Sequence, residues 1–377
     1  MSAAFIEPLD VLVLRGNHLF GDPGSFSGAQ MPPWPSVFAG ALRSHLLVSE
    51  GVEPARFATG ELEHPVLGTP DRPGPFTLTS IGLGRMDTCN GQVERLFPPP
   101  ADAVVMEDGE GMPVVHRLVP QALPVSGSFP LPLVPVLRAP QGKPATGWWF
   151  TETAWRAWLQ GGSIDSKGLV RSCHLWDLDP RPGIGMESSR RAVRDGALFT
   201  SEAVVMRSDG KFRCGFVVDV AGLQAPLPAG LLRLGGDGRG ARLQPLPEQA
   251  PIVPDYATIL ASRRMRLLLT TPGVFPDGWR LPGTDKGGRF NLHGVCGRLA
   301  CAAVSRAETV SGWDMARRQP KPAQRVAPTG SIYWIDELEA TPEALRKLVE
   351  SGLWGNPDEN SARRAEGFNR CVLAVWP

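Results

Sequence analysis

Lysine is scarce in this chain. Of 39 basic side chains only Lys143, Lys167, Lys211, Lys286, Lys321 and Lys347 are lysines, which leaves 33 arginines. Arginine's planar fork suits bidentate phosphate contacts and stacking on bases, although a GC-rich genome produces the same excess. The net charge of +1 carries no overall nucleic-acid signal. No run approaches the roughly 20 apolar residues that cross a bilayer, and MSAAFIEPLD lacks the charged-then-apolar order of a secretion signal. A cytoplasmic protein with no membrane partner is therefore expected. The six cysteines (Cys89, Cys173, Cys214, Cys296, Cys301 and Cys371) are scattered, so free thiols in a reducing compartment are expected. Common catalytic signatures are missing too: no paired-carboxylate motif, no G-x-S-x-G, no H-E-x-x-H.

What is present fits two domains. The 377 residues exceed one compact core, and 42% of them are apolar. Glycine (43) and proline (38) impose many turns and short elements. Phe5 to Arg15 reads as a strand apolar on both faces, hence central. A glycine- and proline-rich loop follows, then a helix opened by Pro35 with Phe38, Ala41, Leu42 and Leu46 on one face. Residues from about 60 to 170 read as irregular. Within them Trp148, Trp149, Trp155 and Trp158 mark a helical patch with Thr151 as its cap, either docked on the core or open to a partner. Strands are expected at Glu202–Met206, Phe212–Val220 and Leu231–Leu234, and Pro245–Pro254 reads as a linker. Beyond it come a strand at Met265–Thr271, a helix or strand at Leu292–Ala303, and a strand at Ser331–Leu338. A helix at Thr341–Gly352, with Thr341 as cap and Pro342 at its first position, precedes a closing strand at Phe368–Trp376. That order is the ferredoxin-like split βαβ pattern, and the first half fits it more loosely.

Candidate chemistry is thin. His293, Cys296 and Cys301 are spaced H-x2-C-x4-C, one ligand short of a structural zinc site, and the apolar setting favours a packed core. His18, in RGNHLF, is the one histidine in an exposed, arginine-flanked setting, where metal-independent RNA cleavage would place a general base. GGDGRG (Gly235 to Gly240) is not a P-loop. It reads as a tight turn, or as a phosphate cradle clamped by Arg239. In AEGFNR, Gly367 permits close approach, Phe368 offers a stacking face and Arg370 a phosphate contact. RPGIGMESSRRAVRDGALF (Arg181 to Phe199) reads as an exposed hairpin with four arginines.

Six stretches then converge on a family: DVLVLRGNHLF with MPPWPSVFAGALRSHL, RPGIGMESSRRAVRDGALFTSE, LGGDGRGARL, LLLTTPGVFPDGW, VSGWDMARRQPKPAQRVAPTGSIYW and EGFNR. In this order they resemble the third subunit of the Cmr complex, a RAMP-superfamily component of type III-B CRISPR effectors. The resemblance implies an α+β chain of tandem ferredoxin-like (RRM-like) domains with large insertions and a β-hairpin thumb. Residues 1–244 would form the first domain, with an insertion at about 60–170 and the thumb at about 181–199. Residues 245–259 would be the linker and 260–377 the second domain with its glycine-rich loop. It implies no catalysis and no cofactor. The partners implied are the crRNA 5′ tag, the large polymerase-like subunit, an adjacent RAMP backbone subunit and, indirectly, target RNA. Ile184 or Met186 would wedge against a base, and Arg190, Arg191 and Arg194 would meet phosphates. Arg15 and His18 match the loop that faces the tag, and Arg43 on the first helix and Arg181 at the start of the thumb are further expected RNA contacts. Arg239, Gly367, Phe368 and Arg370 complete the expected RNA contacts, with Asn369 standing where a second glycine is usual. A RAMP endoribonuclease using His18 is the alternative.

Overall fold

The computed structural model describes residues 1–16, 25–124, 129–187, 189–247, 252–314, 317–356 and 359–377. The chain is mixed α+β, built mostly of strands in several sheets, nearly all of them antiparallel. It divides into two compact units. The first comprises Met1–Val93, Ser172–Glu248 and Thr309–Ala323; the second comprises Glu94–Arg171, Gln249–Glu308 and Gln324–Pro377. The boundary differs from a simple split near 245. Most of the expected insertion, from Glu94 onward, clusters with the second unit.

The first unit contains β1 (Ser2–Pro8), α1 (Pro35–Ser49), β2 (Thr77–Asp87), β3 (Trp176–Glu187), β4 (Ala192–Met206), β5 (Phe212–Ala221), β6 (Gly230–Arg233) and β7 (Gly240–Leu246). Its sheet runs β6-β7-β1-β5-β2, antiparallel throughout. β1 is central, as its two apolar faces require. It stops at Pro8 rather than Arg15, and the chain beyond leaves the sheet through isolated bridges at Leu12, Val13 and Arg15. Pro35 starts α1, which buries Phe38, Leu42 and Leu46. The Phe38 ring meets Phe216 of β5 edge-on at 5.0 Å. β2 lies where irregular chain was expected. Its sequence TLTSIGLGRMD is rich in threonine and glycine, and Gly84 stands opposite Gly215 in the register. Its burial shows only through its neighbours.

The second unit carries β8 (Met265–Leu269), β9 (Arg289–Leu292), β10 (Val295–Ala303), β11 (Ile332–Glu339) and β12 (Cys371–Val375). Its helices are α2 (Glu152–Leu159), α3 (Tyr256–Ser262), α4 (Pro342–Ser351) and α5 (Ser361–Ala365). The sheet runs β9-β10-β11-β8-β12, again antiparallel. All five residues of β8 and of β12 are buried, because both faces of this sheet are covered. Leu267, Ile335 and Leu373 join Ile259 of α3 and Leu345 and Leu348 of α4 in one core. Leu268, Trp334 and Val372 point the other way and pack against Phe150, Trp155 and Trp158 of the inserted segment. The tryptophans are therefore core residues. Trp148 and Trp149 lie in a strand, Trp148–Thr151, and only Trp155 and Trp158 sit on α2, where the Thr151 hydroxyl accepts from the Ala154 amide.

One charged residue interrupts β8. Arg266 is fully buried: its Nε donates to the Val375 carbonyl at 2.6 Å and its Nη2 to the Trp158 carbonyl at 2.5 Å. Its Nη1 donates to Oδ2 of Asp102, also fully buried, at 2.5 Å. Oδ1 of Asp102 accepts from the Trp158 indole at 3.0 Å. Arg117 lies over the Trp158 ring at 3.8 Å and donates to the carbonyls of Gly161 and Gly162. Burial, together with the neighbouring Arg266 charge, lowers the Arg117 guanidinium to about 10.

Removing one partner of such a pair strands the other in a dry interior, so Asp102→Ala or Arg266→Ala is expected to cost about 3–5 kcal/mol of stability. The double change to apolar residues of similar size is expected to cost much less than the sum of the two. Urea unfolding of the three variants checks this; additive losses would show that the pair is not a unit.

Candidate nucleic-acid interface

β3 and β4 pair from Trp176 opposite Met206 to Glu187 opposite Ala192, with a register shift between Ile184 and Met186. They form the long hairpin expected at 181–199, extended at its root. There Leu12 and Val204 exchange backbone hydrogen bonds of 2.8 Å, and Ala203 and Val204 are buried. The short strand Ser25–Ser27 runs parallel to Phe199–Ser201 as a third strand. Past Gly183 the ribbon has two strands only among the described residues. Glycine at 183 is needed because the Phe199 ring lies across it: a Cβ there would sit 2.4 Å from the ring's Cζ.

The distal ribbon is exposed on both edges. Ile184, Met186, Val193 and Leu198 are all solvent-facing apolar side chains. Ile184 stands opposite Leu198, so they share a face. Two residues along that face is Thr200, whose parallel partner is the exposed Phe26. Phe26 was not singled out in the sequence, where only its glycine-rich surroundings mark it. At the tip Arg190 lies 3.8 Å from Glu187; nearer the root Arg181 pairs with Asp179 at 2.8 Å. Arg191 and Arg194 are exposed and have no carboxylate partner among the described residues. Arg191 takes a left-handed conformation (φ 51°) in the turn.

The other predicted residues divide. Arg239 donates to Asp10 at 2.7 Å, and the Val11 amide, Arg239 and the Arg181 charge together hold the exposed Asp10 carboxyl below its ordinary range. Arg181 and Arg239 are thus brought to one carboxylate near the thumb root. The GGDGRG stretch is the turn between β6 and β7. The Leu234 amide donates to the Arg239 carbonyl and the Gly236 amide to Val13, which favours the tight-turn reading over a phosphate cradle. Arg15 is exposed, bridged through its backbone to Ala29. Arg43 lies 5.3 Å from the centre of the Phe76 ring. His18 lies outside the described residues.

Gly367, Phe368 and Arg370 of the AEGFNR stretch, expected at an exposed loop, are buried. Phe368 is fully enclosed beneath Arg363, whose guanidinium is 5.0 Å from the ring centre. Asn369 adopts φ 59°, the conformation a glycine would supply. Its amide is spent on the backbone: Oδ1 accepts from Val274 at 2.6 Å and Nδ2 donates to Leu353 at 3.1 Å. Arg370 donates to the Glu350 carbonyl at 2.7 Å, where it caps the C-terminal end of α4, and burial lowers it to about 10.

His293, Cys296 and Cys301 lie along the β9–β10 hairpin rather than on a helix. Cys301 is buried in the apolar cluster, and burial pushes its thiol up to about 12. Among the described residues no three His, Cys, Asp or Glu side chains gather as a metal site would need. No helix among them is long and apolar enough to cross a membrane.

A family model described as CRISPR-associated protein (Cas_Cmr3) matches residues 4–376. No curated protein matches the chain. Among solved structures, a chain of "Type III-B Cmr-beta bound to cognate target RNA and AMPPnP, state 1" is 15% identical, with a TM-score of 0.50, covering 98% of this chain and 96% of that one. A second, of Type III-B Cmr-beta bound to cognate target RNA, is 13% identical with the same score and coverage. At these identities the likeness is one of fold.

Because Phe368 is enclosed, Phe368→Ala is expected to lower stability by about 3–5 kcal/mol. Thermal melts check this; an unchanged melting temperature would show that the ring is not part of the core.

Proposed function

Because the chain belongs to the CRISPR-associated Cmr3 family, we propose that it is the noncatalytic RNA-binding and assembly subunit of a type III-B CRISPR effector. It binds the 5′ tag of the crRNA and docks the large polymerase-like subunit and an adjacent RAMP backbone subunit, so that target RNA is met indirectly. The observation that carries the RNA part is the thumb: a two-stranded ribbon, exposed at its tip, where Arg190, Arg191 and Arg194 outnumber Glu187 and Asp195. Two of those arginines lack a carboxylate partner among the described residues, so a phosphate binds them without first displacing an acid. The exposed apolar face of Ile184, Leu198 and Phe26 suits unstacked bases, which a single-stranded tag presents. The docking roles rest on the family alone.

Tandem ferredoxin-like units are part of this reading. The strand order β7-β1-β5-β2 in the first unit and β12-β8-β11-β10 in the second is the same fourth-first-third-second order. The two differ in which helix they keep: α1 follows the first strand of one, and α4 precedes the last strand of the other.

Two assays test the proposal. Replacing Arg190, Arg191 and Arg194 with alanine is expected to weaken tag-RNA binding in a gel shift and to flatten the salt dependence by up to about three phosphate contacts. Unchanged affinity and slope would leave a protein scaffold whose arginines are compositional. Repeat RNA incubated with the protein is expected to stay intact; metal-independent cutting that His18→Ala abolishes would make the chain an endoribonuclease instead.

A further inference from the structure

We propose that a second element, the hairpin arm carrying Trp313, is a platform for one unpaired base of a single-stranded RNA. The inference rests on the RNA-binding reading above and adds a contact separate from the thumb. Of the eleven tryptophans only Trp313 is exposed, at 56%; the others are buried or half-buried. Its ring therefore stands in water while the same side chain elsewhere in the protein serves the core.

Backbone pairing defines the chain on either side of that ring. Trp313 pairs with Pro320 and Asp314 with Gln319 in antiparallel register. The Lys321 amide donates to Gly312 at 2.9 Å, and the Ser311 hydroxyl donates to the Lys321 carbonyl at 2.7 Å. The Lys321 stem passes Gly312, the neighbour of Trp313. Arg317 is anchored by Asp71 at 3.0 Å and lies 3.8 Å from Asp314. Arg318 is exposed, in the turn at φ 50°, with no partner among the described residues.

The charge pattern selects the occupant. A tryptophan that anchors a protein interface sits inside an apolar patch closed by a polar rim. Trp313 has Pro320 across from it in the register, and the same short arm carries Arg317, Arg318 and Lys321; Arg317 is already held by Asp71 and Asp314, which leaves the exposed Arg318 for a phosphate. An exposed flat ring on an arm that also carries Arg318, unpaired among the described residues, matches a base with a flanking phosphate, and stacking of this kind tolerates any base.

The test uses the full chain, a labelled short oligouridine and three variants measured together. Trp313→Ala is expected to weaken binding about tenfold and Trp313→Phe to restore most of it. Arg318→Ala is expected to reduce the salt slope by about one. None of these changes is expected to lower the melting temperature, because the side chains lie outside the core. The Arg191→Ala/Arg194→Ala thumb variant runs in parallel. Wild-type affinity in Trp313→Ala, with loss in the thumb variant, overturns the platform and leaves the RNA-binding function standing. Failure of the wild-type chain to bind overturns both. Unchanged RNA affinity in Trp313→Ala, with loss of co-assembly with another subunit, makes the arm a protein contact and also overturns the platform.

Discussion

A two-stranded ribbon with water on both faces does not hold its shape alone, and the candidate interface is such a ribbon. Its geometry depends on the root, where Leu12 and Val204 exchange backbone hydrogen bonds in a buried setting. This explains why the chain leaves the first sheet after Pro8. The stretch from Asp10 to Arg15 is committed to three other tasks. Asp10 takes Arg239, Leu12 takes the thumb and Val13 takes the turn between β6 and β7. An apolar run that reads as a plain central strand is in fact half strand and half clamp. The parallel strand Ser25–Ser27 adds a third support where β4 emerges. Beyond those supports only the two paired strands remain among the described residues.

The second unit solves a different problem. Its sheet is apolar on both faces and must be covered twice. Helices α3 and α4 cover one face, and the tryptophan-bearing segment covers the other. The arginine inside MRLLL fixes how that second cover sits. Arg266 reaches Asp102 and the Trp158 carbonyl, while Trp158 itself donates to the same carboxylate. A buried cation, a buried anion and an indole each satisfy the others, so the arrangement tolerates little displacement. The AEGFNR stretch is likewise drawn inward. Asn369 locks it to Val274 and Leu353, and Arg370 is taken up by the end of α4. The exposed residues among those expected to meet RNA are therefore fewer than the sequence implied, and lie mostly on the β3–β4 hairpin.

The legible parts were those whose cause is local. Helix α4 is written out in full: Thr341 accepts from Ala344, Pro342 follows, and Gly352 closes the helix at φ 72°. The thumb shows itself through R-P-G-I-G and a run of arginines, and its exposure follows from that composition. Strands β5 and β11 announce themselves by their β-branched and aromatic residues, and β8 by its apolar run LLL. What stayed hidden depends on distant partners. β2 interrupts its apolar residues with threonine, serine and glycine, and its place beside β5 shows only in the fold. Phe26 is exposed because of where β4 runs, and Phe368 is buried because Arg363 folds over it. The inserted segment offers no local sign of its attachment to the second unit, since the decisive contact joins Asp102 to a residue far along the chain.

The central claim is that residues 181–199 grip the end of a guide RNA. Ultraviolet crosslinking of the assembled particle, with mass-spectrometric mapping of the linked peptides, measures this most directly. Crosslinks between the 5′ nucleotides of the crRNA and the peptides containing Ile184 to Arg194 are predicted. A particle in which those peptides link only to protein, while the 5′ end links to other parts of the chain or to other subunits, would contradict it.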